Sequence, residues 1–134
     1  MAALKLPCRL YESLLAETRR SLPNECCGLL GGHGRDITHI FPATNQLASP
    51  VAYEIPPREL CEIFRRMRAE KIKLVGIYHS HPAGDTWPSA RDRERAYYAV
   101  AYVIVSPHQA AADPVRAFWL QAGAVRELEV QVVG

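Results

Sequence analysis

Residues 73–96, KLVGIYHSHPAGDTWPSARDRERA, constrain the fold more tightly than any other stretch of this 134-residue chain. KLVGIYHSH reads as a strand whose near-continuous apolar run suits a central position, covered on both sheet faces. Side chains on a strand repeat every second residue, so His79 and His81 can project from the same side. Pro82, Gly84 and Pro88 punctuate a loop, and Ser89 then opens a helix. Asp92 follows His81 by eleven residues and can return to the histidines across that loop and helix start. Two imidazoles and one carboxylate make a three-ligand zinc set with a fourth tetrahedral position free for water, as at a catalytic site.

Each part of this pattern has a plainer explanation. His-x-His alone is common, and Ser89 with Asp92 three residues on has the spacing of a capping box. The glycine and prolines alone are turn chemistry. Together the parts are harder to dismiss, and capping does not compete with ligation, because a capped helix start would fix the geometry of Asp92. A zinc site with three protein ligands also needs a base for the proton of its water. Glu25 is the leading candidate. It lies between the Pro23-Asn24 turn and the apolar segment CCGLLGG, which puts it at a sheet end; the alternative is a solvated turn carboxylate.

The surrounding pattern predicts a mixed α/β (α+β) domain. CRLYESLLAETRRS, residues 8–21, carries Leu10, Leu14 and Leu15 on one helical stripe. ECCGLLGG and DITHIFPAT form an antiparallel pair around a glycine-rich turn. NQLASPVAYEI reads as a loop with a short strand at Val51–Ile55. PPRELCEIFRRMRAEK is a second helix with proline in its first turn and Leu60, Ile63, Phe64 and Met67 on its buried stripe. SARDRERAYYAV is expected to be a third helix and AYVIVS a buried strand. PVRAFWLQ and VRELEVQVV alternate with period two and form a terminal hairpin. The length suits one domain, 1–134, with no repeat or linker.

Composition narrows the function classes. A net charge of +2 with 22% charged residues is ordinary, and the arginine-rich runs RRMRAEK and RDRERA are interrupted by acids, as on solvated helix faces. A nucleic-acid partner is therefore not expected. No apolar run approaches the ~18 residues of a membrane span, and MAALKLPCRL lacks the apolar core of a signal peptide. Cys8, Cys26, Cys27 and Cys61 include no C-x-x-C pair. They read as reduced structural residues, which places the chain in the cytoplasm.

Glu25, then His79-Ser80-His81, seven residues, Ser89, two residues and Asp92 is the pattern of the JAMM (JAB, MPN-plus) zinc metalloproteases, which this chain resembles. LPNECCGLLGG also resembles that family's glutamate-bearing strand. The resemblance runs from the first helix through AYVIVS. It implies a cytidine-deaminase-like fold with a mixed central sheet flanked by about three helices. It further implies one catalytic Zn2+ held by His79, His81 and Asp92, with Glu25 as the base that accepts the water proton and passes it to the leaving amine. Ser89 would donate to the oxyanion. Ser80 should point away from the histidines as a structural hydroxyl, and Trp87 should pack the loop.

The chain is similar to compact prokaryotic members, for which the implied substrates are ubiquitin-like or sulfur-carrier proteins with a Gly-Gly tail. An extended tail suits strand addition at a sheet edge, which Ser49–Ile55 could supply. A non-catalytic scaffold or binding module with a zinc staple is the alternative, although a structural zinc needs neither Glu25 nor Ser89. A zinc deaminase is disfavoured by the absence of H-x-E with P-C-x-x-C. The pattern leaves a homodimer open.

Overall fold

The computed structural model describes residues 3–108, 113–121 and 123–134. Its frame is an eight-stranded mixed sheet with three helices. The strands are β1 (Leu4–Pro7), β2 (Cys27–His33), β3 (Asp36–Ala43), β4 (Lys73–Ser80), β5 (Ala101–Val105), β6 (Val115–Gln121), β7 (Ala124–Leu128) and β8 (Val130–Val133). The helices are α1 (Cys8–Ser21), α2 (Pro57–Ala69) and α3 (Ala90–Glu94). Across the sheet the order is β7-β6-β5-β4-β2-β3-β1-β8.

Period-two patterning sorts the core into two faces. Tyr78 of β4 joins Leu10, Leu14 and Leu15 of α1 in one apolar cluster. Ile77 packs on the other face with Tyr102, Ile104 and Phe118. Beside it, α2 lays Ile63 and Met67 over Leu29 and Phe41. β4 lies between antiparallel β2 and parallel β5, so its backbone is bonded on both edges and its C-terminal end opens where β2 begins.

Three expectations are corrected. The helix expected over SARDRERAYYAV stops at Glu94. Beyond it the Tyr98 amide donates to the Tyr102 hydroxyl at 3.1 Å, which takes it away from a helical carbonyl. Val51–Ile55 is not a strand. The Ala52 carbonyl and the Glu54 amide bond instead to the carboxamide of Asn45, at 3.0 and 3.1 Å. The terminal hairpin ends at Leu128, and β8 runs parallel to β1 at the far side of the sheet. β1, a short Leu4-Lys5-Leu6 alternation, offers an edge that β8 fills, and Glu129 is the single residue between the outermost strands β7 and β8. A one-residue link between opposite edges requires the sheet to curl strongly.

Candidate metal centre

The antiparallel register of β2 and β4 builds one wall of the site. Cys27 faces His79, Ser80 donates its amide to the Cys26 carbonyl at 3.0 Å, and the register continued one step brings Glu25 opposite His81. Residues facing one another in a ladder share a face, so Glu25, Cys27, His79 and His81 lie on the same side of the sheet. His81 lies one residue past β4 but stays in line, because its amide donates to the Val105 carbonyl at 2.9 Å. Ser80 points the other way. Its hydroxyl accepts the Cys26 amide at 2.8 Å, which agrees with a structural role.

The loop after His81 folds back through a turn at Gly84 (φ +98°), a conformation that favours glycine; a Cβ there would also meet the His108 ring at 2.6 Å. His108 Nε2 lies 2.9 Å from the Pro82 carbonyl, and the Thr86 hydroxyl donates to the Asp113 carbonyl at 3.2 Å. Trp87 stands edge-on to Phe118 with the Arg116 guanidinium over its ring, so it packs the loop while remaining half exposed. The loop ends in the expected capping box. The Ser89 hydroxyl accepts the Asp92 amide at 3.1 Å, and Asp92 Oδ2 accepts the Ser89 amide at 2.9 Å.

That box delivers Asp92 to the histidines. Asp92 Oδ1 lies 3.2 Å from His79 Nε2, Asp92 Oδ2 lies 3.0 Å from His81 Nε2, and the two Nε2 atoms are 3.1 Å apart. The three side chains form a group able to hold a metal ion. Donor chemistry supports the fit. His81 Nδ1 is bonded to the Asp85 carbonyl, which fixes the proton there and leaves the Nε2 lone pair facing the cluster. His79 is fully buried and stacks on Tyr53, centroids 4.7 Å apart, with no hydrogen-bond partner for its Nδ1 among the described residues.

Electrostatics separate the groups. Burial raises the Asp92 carboxyl, but its bonds to the two histidines win and hold it far below the usual carboxylate range. Burial pulls His79 down, against the pull of Asp92. Burial also lowers His81, yet Asp92 and the Asp85 carbonyl outweigh it and the net shift is upward. Glu25 is pushed up to about 8, chiefly by burial, with His81 pulling down and Asp92 pushing up. Its Oε1 is buried without a hydrogen-bond partner among the described residues. In the metal-free chain that burial favours the neutral carboxyl, and a cation held by the neighbouring cluster would favour the carboxylate, the form that accepts a proton. Ser89 stands at the exposed rim, its oxygen accepting the Asp92 amide and its O–H free of the cap.

Two residues beside this cluster escape a motif-based reading. Tyr53 and Asn45 belong to the loop between β3 and α2. The one available signal is asparagine's habit of bonding nearby main chain in turns. Next to Asp92 opens a cavity of about 220 Å³, walled by Tyr53, Ile55, Leu60, Tyr98 and Tyr102. Cys27, buried and pushed above the thiol range by that burial, is packing and not a nucleophile.

A family model for prokaryotic homologs of the JAB domain matches residues 7–121. The chain is 39% identical over 112 residues to a desampylase of Haloferax volcanii, covering 78% of this chain and 81% of that protein. It is 37% identical over 121 residues to a probable TtuB-protein conjugate cleaving protease of Thermus thermophilus, covering 90% and 78%. It is 36% identical over 129 residues to a CysO-cysteine peptidase of Mycobacterium tuberculosis, covering 92% and 87%. Among solved structures, protein DSY2949 of Desulfitobacterium hafniense superposes with a TM-score of 0.86 at 33% identity, covering 96% of this chain and 92% of that one. The chain belongs to the family of prokaryotic JAB-domain homologs.

Proposed function

We propose that this chain is a zinc-dependent peptidase or isopeptidase that hydrolyses the amide bond after the Gly-Gly terminus of a ubiquitin-like or sulfur-carrier protein. The convergence of His79, His81 and Asp92 beside a buried Glu25, whose Oε1 has no hydrogen-bond partner among the described residues, carries this reading. Relatives named for cleaving a TtuB-protein conjugate and CysO-cysteine support the substrate class.

His79 Nε2, His81 Nε2 and an Asp92 oxygen would hold one zinc ion, oriented by the Asp85 carbonyl and by the Ser89 cap. When bound, zinc supplies Lewis-acid polarisation and makes water nucleophilic near neutral pH. Glu25 takes up the proton lost by the attacking water and delivers it to the leaving amine, a role open to a buried carboxyl whose Oε1 has no hydrogen-bond partner among the described residues. Ser89 turns its free O–H towards the carbonyl oxygen as that oxygen gains charge.

The tail has a natural berth. The Ala52 carbonyl and the Glu54 amide bond to Asn45, and the Glu54 carbonyl accepts the Gln46 amide. Among the described residues neither the amide nor the carbonyl of Tyr53 has a hydrogen-bond partner. An extended tail could therefore pair with Tyr53 as a strand would, with its side chains over the tyrosine-walled cavity. The four free cysteines favour a reducing compartment, the cytoplasm.

The test is intact-mass analysis of a ubiquitin-fold protein ending in Gly-Gly-Cys, incubated with the zinc-loaded enzyme. Release of free cysteine and a Gly-Gly terminus, stopped by chelator and restored by zinc, supports the proposal. An unchanged substrate mass under zinc-loaded conditions, both for this substrate and for a Gly-Gly isopeptide conjugate, rejects it.

A further inference from the structure

Glu25 is aimed by its backbone. Its amide donates to the Ser49 carbonyl at 2.9 Å and its carbonyl accepts from Asn45 Nδ2 at 3.1 Å, whereas carboxylate Oε1 has no partner among the described residues. With that oxygen unbonded, the direction of the buried carboxylate depends on packing and on where its main chain is held. Asn45 does more than donate once. Nδ2 also donates to the Ala52 carbonyl at 3.0 Å, while Oδ1 accepts the amides of Leu47 at 3.2 Å and Glu54 at 3.1 Å. A carboxamide offers two donors and two lone pairs, so all its capacity is spent. Ala52 and Glu54 flank Tyr53, whose ring lies on His79. One side chain thus ties the main chain of Glu25 to the segment covering the histidine cluster.

We propose that Asn45 is a positioning residue, holding Glu25 and the Tyr53 segment in one relative placement so that the carboxylate meets the reacting water. This rests on the reading of Glu25 as the base. Asn45 is half-buried, and losing its fully satisfied carboxamide removes the partner of four main-chain groups at once.

Asn45→Asp and Asn45→Ala in the zinc-loaded full chain test it, with the Gly-Gly-Cys protein as substrate. Aspartate keeps an oxygen for Leu47 and Glu54 but cannot donate to Glu25 or Ala52; alanine removes every bond. The expected result is unchanged zinc stoichiometry, kcat at least tenfold lower by a factor larger than any rise in KM, and a displaced acid limb of the kcat–pH profile. A purely structural residue would lower kcat equally at every pH, in proportion to the folded fraction. Folded Asn45→Asp protein with the parental kcat and acid limb overturns the proposal, and so does failure of both variants to fold. Glu25→Gln measured alongside keeps the two ideas apart. High activity in that variant removes the base, whereas a dead Glu25→Gln enzyme beside a fully active Asn45→Asp enzyme removes only the role of Asn45.

Discussion

Asp92 Oδ2 lies 3.0 Å from His81 Nε2 while it caps its own helix through the Ser89 amide. The carboxylate is therefore oriented by local helix chemistry before any metal arrives. This joins the fold to the site: α3 is only five residues long, and its first turn aims the carboxylate of the His79, His81 and Asp92 cluster.

The two duties of Asp92 can be separated. Asp92→Asn keeps an oxygen for the Ser89 amide but loses the negative charge, so zinc content should collapse while thermal stability changes little. Ser89→Ala removes the other half of the box and should cost about 1 kcal/mol. It should also lower kcat by about a hundredfold with zinc retained. Zinc by elemental analysis, beside a melt and a rate, checks all three.

His81→Ala should lose the metal with the sheet intact, because His81 lies beyond the end of β4 and keeps its ladder bond through its main chain. Far-ultraviolet circular dichroism unchanged from the parent, with zinc below a tenth of an equivalent, is the expected pair of readings. Full zinc content would remove His81 from the ligand set.

Burial of Glu25 should appear as pH-dependent stability in the metal-free protein. Its carboxyl rises from an ordinary 4.5 to about 8 in the folded chain, so the folded state binds the proton more tightly than the unfolded state. Stability contributed by this group is present below pH 4.5 and is lost as pH climbs towards 8. Glu25→Gln cannot ionise. At pH 8 it should be the more stable protein by about 1–3 kcal/mol, with a smaller gap at pH 5. Chelated samples melted across that range give the comparison, and parallel curves at all pH values would contradict it.

Gly28 carries a prediction about the strand that positions Glu25. A Cβ there would lie 2.5 Å from both the Phe41 carbonyl oxygen and the Tyr78 hydroxyl, and that hydroxyl is itself bonded to Glu17 at 2.6 Å. Gly28→Ala should cost about 1–3 kcal/mol through overpacking. Denaturant unfolding would show it as a lower midpoint.

Much of the frame was legible in the sequence because its signals are periodic and local. The stripe Leu10-Leu14-Leu15 and the Pro57 helix start need no tertiary information, and α1 and α2 form as expected. The cluster of His79, His81 and Asp92 was legible for a similar reason, since strand periodicity and a capping box are both read along the chain. What escaped depends on partners distant in sequence. The third helix ends early because the Tyr102 hydroxyl takes an amide, and β8 forms because β1 offers an edge. The loop over the site is held by Asn45 through main-chain groups, and residue type marks the asparagine but not which main-chain groups it bonds.

The most direct measurement is single-turnover cleavage by Glu25→Gln beside the parent, on the Gly-Gly-Cys protein, with zinc quantified in both. One zinc per chain is expected in each, with a rate at least about a hundredfold lower in the variant. A variant with full zinc that cleaves at close to the parental rate would contradict that expectation.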